Sequence, residues 1–449
     1  MKGFITTLKN IWQIEDLRYR ILSTLGFILI YRVGAHIVLP GINPNALTAL
    51  EKQGQEGILG LLNIFTGGAF SSASIFALGI MPYISASIAI QLLTLAVPYF
   101  QKLQKEGESG RRQINQITRY LTVLITAAQA SGYVINLKFI AQDAIVIPQA
   151  LFWLSTVVVL TAGTIFVMWL GEKITDKGIG NGISLIIMIG IIARLPFAIG
   201  SEFQSRIGEE GGGAIALLIE LFVLVVIVVA VIALVQATRR IPVQYAKRIV
   251  GNKQYGGVRQ YLPLKINAAG VMPIIFAQAI MFLPATVAQF FPSKLSDATG
   301  FLGALSDYES PWYNLIYFML VIMFTYFYTA IIVNPMQWAD DLKKNNGFIP
   351  GVNPGKKTAE FIDAVMSRIT LPGAIFLGFI AILPAFARVG GVNSQFAVFF
   401  GGTSLLILVS VVLDTLQQVE SHLLMRHYDG LMKSGRIKGK QAMGTGTGY

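Results

Sequence analysis

From Leu217 to Val235 the chain reads LLIELFVLVVIVVAVIALV, a run with one charge, Glu220, and long enough to cross a bilayer as a helix. In hydrocarbon a backbone must satisfy its own hydrogen bonds, so a chain built of such runs is restricted to helices or a closed barrel. The period-two alternation of a barrel is missing, which leaves helices. The same character extends along the chain. Of 449 residues, 54% are hydrophobic and 13% charged, against about 25% charged in a soluble domain. Apolar segments of span length lie near 21–39, 73–97, 116–136, 149–170, 180–199, 214–236, 267–291, 313–333, 369–387 and 397–418. Several are interrupted by Gly or Pro, as in GIMPYISASIAIQLL and NAAGVMPIIFAQAIMFLP.

The charges give an orientation. Of 35 Lys and Arg, 28 fall on one side of these segments. The other 7, on the opposite side or at helix ends there, are Arg32, Lys52, Lys138, Arg194, Arg206, Lys294 and Arg388. Such a bias places the basic side, with both termini, in the cytoplasm. The net charge of +12 points to anionic lipid before nucleic acid. Residues 1–20 read as a cytoplasmic amphipathic N-terminus with no small-residue cleavage site after it. Residues 21–199 and 200–418 make two halves of five segments each, and 419–449 a cytoplasmic tail. An odd number per half turns the halves in opposite directions, an inverted repeat. The expected fold is an all-α membrane protein of ten transmembrane helices in two inverted five-helix halves, N-in and C-in.

Two cytoplasmic connections are long. The one at about 237–265 contains RRIPVQYAKRIVGNKQYGGVRQYLPLK, where Gly251-Asn252 between β-branched residues signals a basic hairpin. The one at about 337–368 has turn punctuation in NNGFIPGVNPG and then a short amphipathic pattern, TAEFIDAVMSRI. Basic loops of this size suit anionic headgroups or a large cytosolic partner.

Little in the chain could do covalent chemistry. It has no cysteine and three histidines, so thiolate metal sites are excluded and imidazole sites have few candidates. No GxxxxGK[ST] phosphate loop occurs, and KGIGNGIS, Lys177 to Ser184, lacks the preceding strand and following acid of a dinucleotide site. No HExxH and no Ser-His-Asp grouping is found. We expect no enzyme, no cofactor and no metal. Ionisable groups within the apolar segments are few, among them Arg32, Glu220 and Asp414, the last expected in an interhelical hydrogen bond.

The stretch Asn63 to Phe76, NIFTGGAFSSASIF, is too apolar for a surface loop and too rich in Gly and Ser for a comfortable span. Non-helical backbone at membrane depth is tolerated only where it is buried in protein or lines a cavity. The stretch reads as re-entrant, either a linker or a gating plug.

Several passages in order, NIFTGGAFSSASIFALGIMPYISASI, KEGESGRR, WLGEKITDKGIGNGIS, RRIPVQYAKR, YLPLKINAAGVMP, NNGFIPGVNPG and GGTSLLI, resemble the SecY family of protein-conducting channels. The resemblance runs from about Arg18 to the tail. It implies that residues from about 57 to 70 fold back as a short plug helix, with Ile64, Phe65 and Phe70 as its apolar side and Gly67 and Gly68 at its turn. It implies an aliphatic pore ring of Ile80, Ile84, Ile183, Ile187, Ile275 and Ile407, with Ile274 competing for the place of Ile275. A lateral gate between the second and third spans and the seventh and eighth would carry Gln129 and Asn267, and would release transmembrane segments into lipid. Arg239, Arg240, Lys247, Arg248, Lys253, Lys356 and Lys357 would dock the ribosome or the SecA ATPase. Expected partners are also the SecE and SecG subunits, signal sequences and unfolded preproteins, in the bacterial cytoplasmic membrane. One residue departs from the family pattern: Asn353, in PGVNPG, stands where a basic residue is common, and that role is not carried over to it. A secondary transporter with broken helices and a pore-free insertase are the rival readings; the first needs paired intramembrane charge, and the second needs neither plug nor ring.

Overall fold

The computed structural model describes residues 12, 14–47, 50, 57–207, 213–245, 248–250, 253–255, 259–290 and 310–433. Each of the ten apolar segments coincides with a helix there. In the N-terminal part these are α1 (Glu15–Gly34), α3 (Met81–Ala96), α5 (Glu108–Ile140), α6 (Gln149–Lys177) and α7 (Gly182–Ile207), with two short helices, α2 (Gly57–Phe65) and α4 (Pro98–Lys105). In the C-terminal part they are α8 (Gly213–Gln236), α9 (Met272–Phe290), α10 (Pro311–Ile332), α12 (Lys356–Val389) and α14 (Gly402–Lys433), with α11 (Pro335–Lys344) and α13 (Ser394–Ala397) short. Among the described residues seven helices are long and apolar enough to cross a membrane, counting α10 with α11 as one. The bent pair α3 and α4 would make an eighth.

Several ends differ from the expected ones for local reasons. The second apolar segment becomes helical only at Met81, because residues 66–80 are turns. At its other end the chain bends by 95° between α3 and α4. Val97, forced out of the helical region by the following Pro98, is extended at φ −109° and ψ 121°. The amphipathic pattern after Gly355 is not separate from the ninth segment. It runs unbroken into α12, a helix of 34 residues that keeps Pro372 and Pro384 inside it.

Packing follows from small residues and from hydroxyls satisfied within their own helix. On α5 the buried Thr118, Thr122 and Thr126 lie one turn apart, and each donates to the carbonyl four residues back, at 2.9, 2.7 and 2.6 Å. No hydroxyl on that face needs a partner helix. At the α6–α7 corner a Cβ on Gly182 would run into the Gly171 carbonyl. The Asn181 side chain caps α7 by accepting from the Ile183 and Ser184 amides. Gly180, at φ +82°, donates its amide to Gln418 Oε1 of α14 at 2.8 Å. The spaced glycines of KGIGNGIS therefore serve a tight inter-helix corner. By contrast α8 has only Val231 fully buried, the character of a helix facing lipid.

Asp414 corrects an expectation. It is exposed on α14, with no hydrogen bond or ion pair among the described residues. The polar contact on this helix is made by Gln418, one turn further on and turned inward toward Gly180.

The two long connections form one body. β1 (Thr238–Tyr245) pairs antiparallel with β4 (Arg259–Lys265), and β5 (Gly347–Phe348) from the other connection adds to the free edge of β1. β2 (Arg248–Val250) and β3 (Lys253–Tyr255) pair antiparallel, with Val250 opposite Lys253; the expected turn at Gly251-Asn252 lies outside the described residues. Ile241 and Val243 alternate inward on β1 and pack with Leu264, Leu342, Ile349, Ile362 and Met366. Through Ile362 and Met366 the sheet rests on the first turns of α12.

Candidate functional site

The stretch after α2 is a chain of turns held by its neighbours on every side. Gly67 and Gly68 adopt φ +65° and +95°, a conformation that side chains with a Cβ rarely take. Gly190 of α7 lies so close to Phe65 and Gly67 that a Cβ there would meet their backbone. Within the stretch, Asn63 Oδ1 accepts from the Ser71 amide and hydroxyl at 3.1 and 3.0 Å, and Thr66 Oγ1 accepts from the Phe70 amide. A short bridge follows, in which the Leu39 amide donates to the Ala73 carbonyl and the Ile75 amide to the Ile37 carbonyl, at 2.8 and 2.9 Å.

Side chains from three helices then reach in. From α1, Tyr31 Oη donates to the Thr66 carbonyl at 3.3 Å and Arg32 Nη1 to the Gly67 carbonyl at 2.9 Å. From α5, Tyr133 Oη donates to the Phe70 carbonyl at 2.9 Å. From α7, Arg194 Nη2 donates to Ser71 Oγ at 3.1 Å. Arg32 and Arg194 are two of the seven basic residues that run against the charge bias. An aromatic run of Tyr31, Phe76, Phe166 and Trp169, with successive centroids 6.0, 5.9 and 5.7 Å apart, braces the end of the stretch between α1 and α6.

Beyond these turns lies a cavity of about 60 Å³ where α3, α7, α9 and α14 converge. Five of the expected ring side chains line it: Ile80, Ile84, Ile187, Ile275 and Ile407. Phe65 and Phe70 close one side, and Gln129 is also on the wall. No charged residue lines it. Ile84 follows Ile80 by one turn, so both present the same face at the start of α3. Ile183 stands one turn before Ile187 and packs toward Gly171 of α6, away from the cavity lining. Ile274 is fully buried in a second cluster with Phe276 and Val321, while its neighbour Ile275 reaches the cavity. Ile64 is half-buried against the first cluster.

The expected seam residues are not bonded to each other. No hydrogen bond joins Gln129 and Asn267 among the described residues, and the buried Asn267 Oδ1 has no hydrogen-bond partner there. Between α10 and α3, Tyr328 donates to Gln91 Oε1. Of the basic residues, Arg239 and Arg240 are exposed on β1, and Lys356 and Lys357 are exposed at the start of α12. Arg248 and Lys253 stand on the β2–β3 hairpin; Lys247 lies outside the described residues. Asn353 is exposed, and its carbonyl accepts from Thr358 Oγ1 at 2.9 Å, closing the turn before α12. Sequence reading missed Tyr31, Tyr133 and Arg194 as holders of the turn, and Gln91 and Tyr328 as a bonded pair between α3 and α10. The one available signal was the position of Arg32 and Arg194 against the charge bias.

The SecY family model matches residues 74–416, most of the chain. The chain belongs to the SecY family. It is 44% identical over 440 residues to the protein translocase subunit SecY of Streptomyces scabiei, covering 96% of this chain and 100% of that one. The subunit from Mycobacterium tuberculosis is also 44% identical, over 452 residues, with the same coverage. Among solved structures, this SecY-family chain shares its fold with a SecY whose plug domain is described as stabilizing the closed state of the translocation channel (TM-score 0.62, 17% identity, 90% and 92% covered). It shares it also with Sec61 in the canine ribosome-channel complex from the endoplasmic reticulum (TM-score 0.60, 16% identity, 90% and 92% covered).

Tyr133→Phe keeps the ring and leaves the Ala73 amide, at 3.2 Å, as the remaining donor to the buried Phe70 carbonyl. The expected loss is about 0.5–1.5 kcal/mol of local stability, a roughly 2- to 13-fold faster amide exchange over residues 66–76. Exchange there equal to wild type would show that this bond does not hold the turn.

Proposed function

We propose that the chain is the protein-conducting channel of a bacterial protein translocase, closed at rest by the segment 57–70 lying on an aliphatic ring. The observation that carries this is the meeting of five isoleucines, from α7 and the start of α3 on one side and from α9 and α14 on the other, at a single apolar cavity capped by Phe65 and Phe70. An apolar ring grips an extended chain without selecting its sequence, and it resists ions by dewetting. The subunit is a channel and not an enzyme; its driving energy comes from a partner, the SecA ATPase or the translating ribosome. It is a multi-pass protein of the bacterial cytoplasmic membrane. Ten spans in two inverted halves, with both termini cytoplasmic, is the arrangement that the charge bias supports. SecE and SecG complete the complex. A transporter would need charge at its midplane site, and the uncharged lining of this cavity argues against one.

Phe65 and Phe70, about 1.5–3 kcal/mol each when fully buried, hold the plug more firmly than a neutral contact at about 0.5–1.5 kcal/mol, and about as firmly as a bond from Arg32 or Arg194 at about 1.5–3 kcal/mol. Deleting residues 57–70 therefore raises the resting ion conductance of the reconstituted channel well above wild type. A conductance that stays at the wild-type level, with no neighbouring residues found in the vacated position, would exclude a sealing role.

The pair Tyr328–Gln91 closes the seam between α10 and α3, through which signal sequences and transmembrane segments leave for lipid. Tyr328→Phe removes the donor and keeps the ring. Export of preproteins with weakened signal sequences is expected to rise several-fold, a change of about 1 kcal/mol. If export of weak and strong signals changes equally, the pair does not gate the seam.

The sheet of β1, β4 and β5 presents Arg239 and Arg240 to the cytoplasm, with Arg248, Lys253, Lys356 and Lys357 on adjoining elements and Lys247 between them in sequence. These cations dock the ribosome or SecA. Reversing Arg239 and Arg240 to Glu is expected to weaken ribosome cosedimentation at least tenfold at low salt and to flatten its salt dependence. Unaltered binding across the salt series would place docking elsewhere.

A further inference from the structure

Past the ring, α14 exposes two faces of different character. Val412 and Leu416 are apolar and 38% and 52% exposed. Asp414, Gln417 and Ser421 are polar and exposed. At 3.6 residues per turn the two sets stand on nearly opposite sides of the helix axis. Hydrocarbon covers the apolar face at little cost, whereas a carboxylate turned to lipid is expensive. The polar face belongs against water.

The packing of α14 says where that water lies. Asp414 follows Ile407 by seven positions, two helical turns, and so stands in line with that ring side chain. To one side of this line α14 leans on the α6–α7 corner and on α7, through Gln418, which accepts from the Gly180 amide, and Val411, which joins the first cluster. To the other side Leu413 packs against the second cluster, which holds α9 and α10. Between these two supports the helix faces the gap that Ile187 of α7 and Ile275 of α9 line at the level of the cavity. With its C-terminus cytoplasmic, α14 runs from the ring toward the cytoplasm, and seven positions carry Asp414 about 10 Å in that direction.

We propose that Asp414 is a specificity-determining residue of the entry path, which meets the polypeptide two turns to the cytoplasmic side of the ring and favours basic segments over acidic ones. The inference rests on the channel reading above. The apolar ring does not select among side chains by charge. Asp414 does, because its carboxylate has no hydrogen bond or ion pair among the described residues, and between low-dielectric walls its field is focused onto the passing chain. Lys and Arg are drawn to it, and Asp and Glu are repelled. Gln417, on the same face, offers an amide donor and acceptor to an extended backbone whatever the charge of its side chains.

Ile407→Cys, Asp414→Cys and Leu416→Cys, in separate versions of the full cysteine-free chain, are crosslinked to stalled secretory polypeptides that each carry one cysteine. Asp414→Cys is expected to meet a substrate position about three residues nearer the C-terminus than Ile407→Cys does, since about 10 Å of helix spans about three residues of extended chain. Leu416→Cys, on the apolar face, is expected to meet none. Crosslinks from Ile407→Cys with none from Asp414→Cys would overturn this proposal and leave the channel reading standing; silence at both would overturn the two together. Equal crosslinking from Leu416→Cys and Asp414→Cys would overturn the assignment of faces. Charge selection is read with Asp414→Asn and two preproteins that differ only in a short run of Lys or of Glu. The ratio of their export rates, basic over acidic, is expected to fall roughly threefold or more at low salt. A ratio unchanged from wild type would overturn the selective role.

Discussion

Phe65 packed in one cluster with Ile80, Ile187 and Ile407, with Phe70 on the wall of the same cavity, is the contact on which the proposed gate depends. A ring of side chains wide enough to pass an extended polypeptide cannot by itself be close-packed, and interiors hold their form by close packing. Under the proposed function something apolar rests on it while it is idle. That requirement accounts for a short helix and a chain of turns where a straightforward span would be simpler. It accounts for the two left-handed glycines, which bring the chain back across the ring. It also accounts for the close approach of Gly190, which lets the plug backbone lie directly on α7.

The polar contacts around the plug are of a different kind. Backbone carbonyls in a stretch of turns need donors, and lipid offers none. Tyr31, Arg32 and Tyr133 supply them from α1 and α5, and Arg194 binds the Ser71 hydroxyl from α7. In the proposed gate each such bond is lost when the turns move, so that the closed state is specific in geometry and limited in strength. Arg32 and Arg194 lie on the side that charge bias leaves nearly free of cations, and the carbonyl and hydroxyl of the plug turn give them a use there.

The helices were legible because apolar runs of span length admit no other soluble or membrane fold, and the basic hairpin because Gly251-Asn252 prescribes a two-residue turn. Other features depend on residues far apart in sequence and left no local trace. Tyr133 meets Phe70 across 63 positions, and Tyr328 meets Gln91 across 237. The edge strand Gly347–Phe348 is too short to read without its partner β1. Asp414 faced outward because the inward turn of α14 belongs to Gln418, a matter of helix rotation that hydropathy does not carry. The ring itself was half legible: the spacing of Ile80 with Ile84 gives a common face, but which faces meet came through the family resemblance. In the structure Ile183 turns toward Gly171 while the other five line the cavity.

The most direct measurement is crosslinking from single cysteines at Ile84, Ile187 and Ile275, in separate versions of this naturally cysteine-free chain, to a secretory polypeptide stalled partway across. The account predicts that all three react with the same short stretch of the stalled chain, because they surround one path. Absence of crosslinks from all three, in a preparation shown to hold the stalled chain, would contradict it.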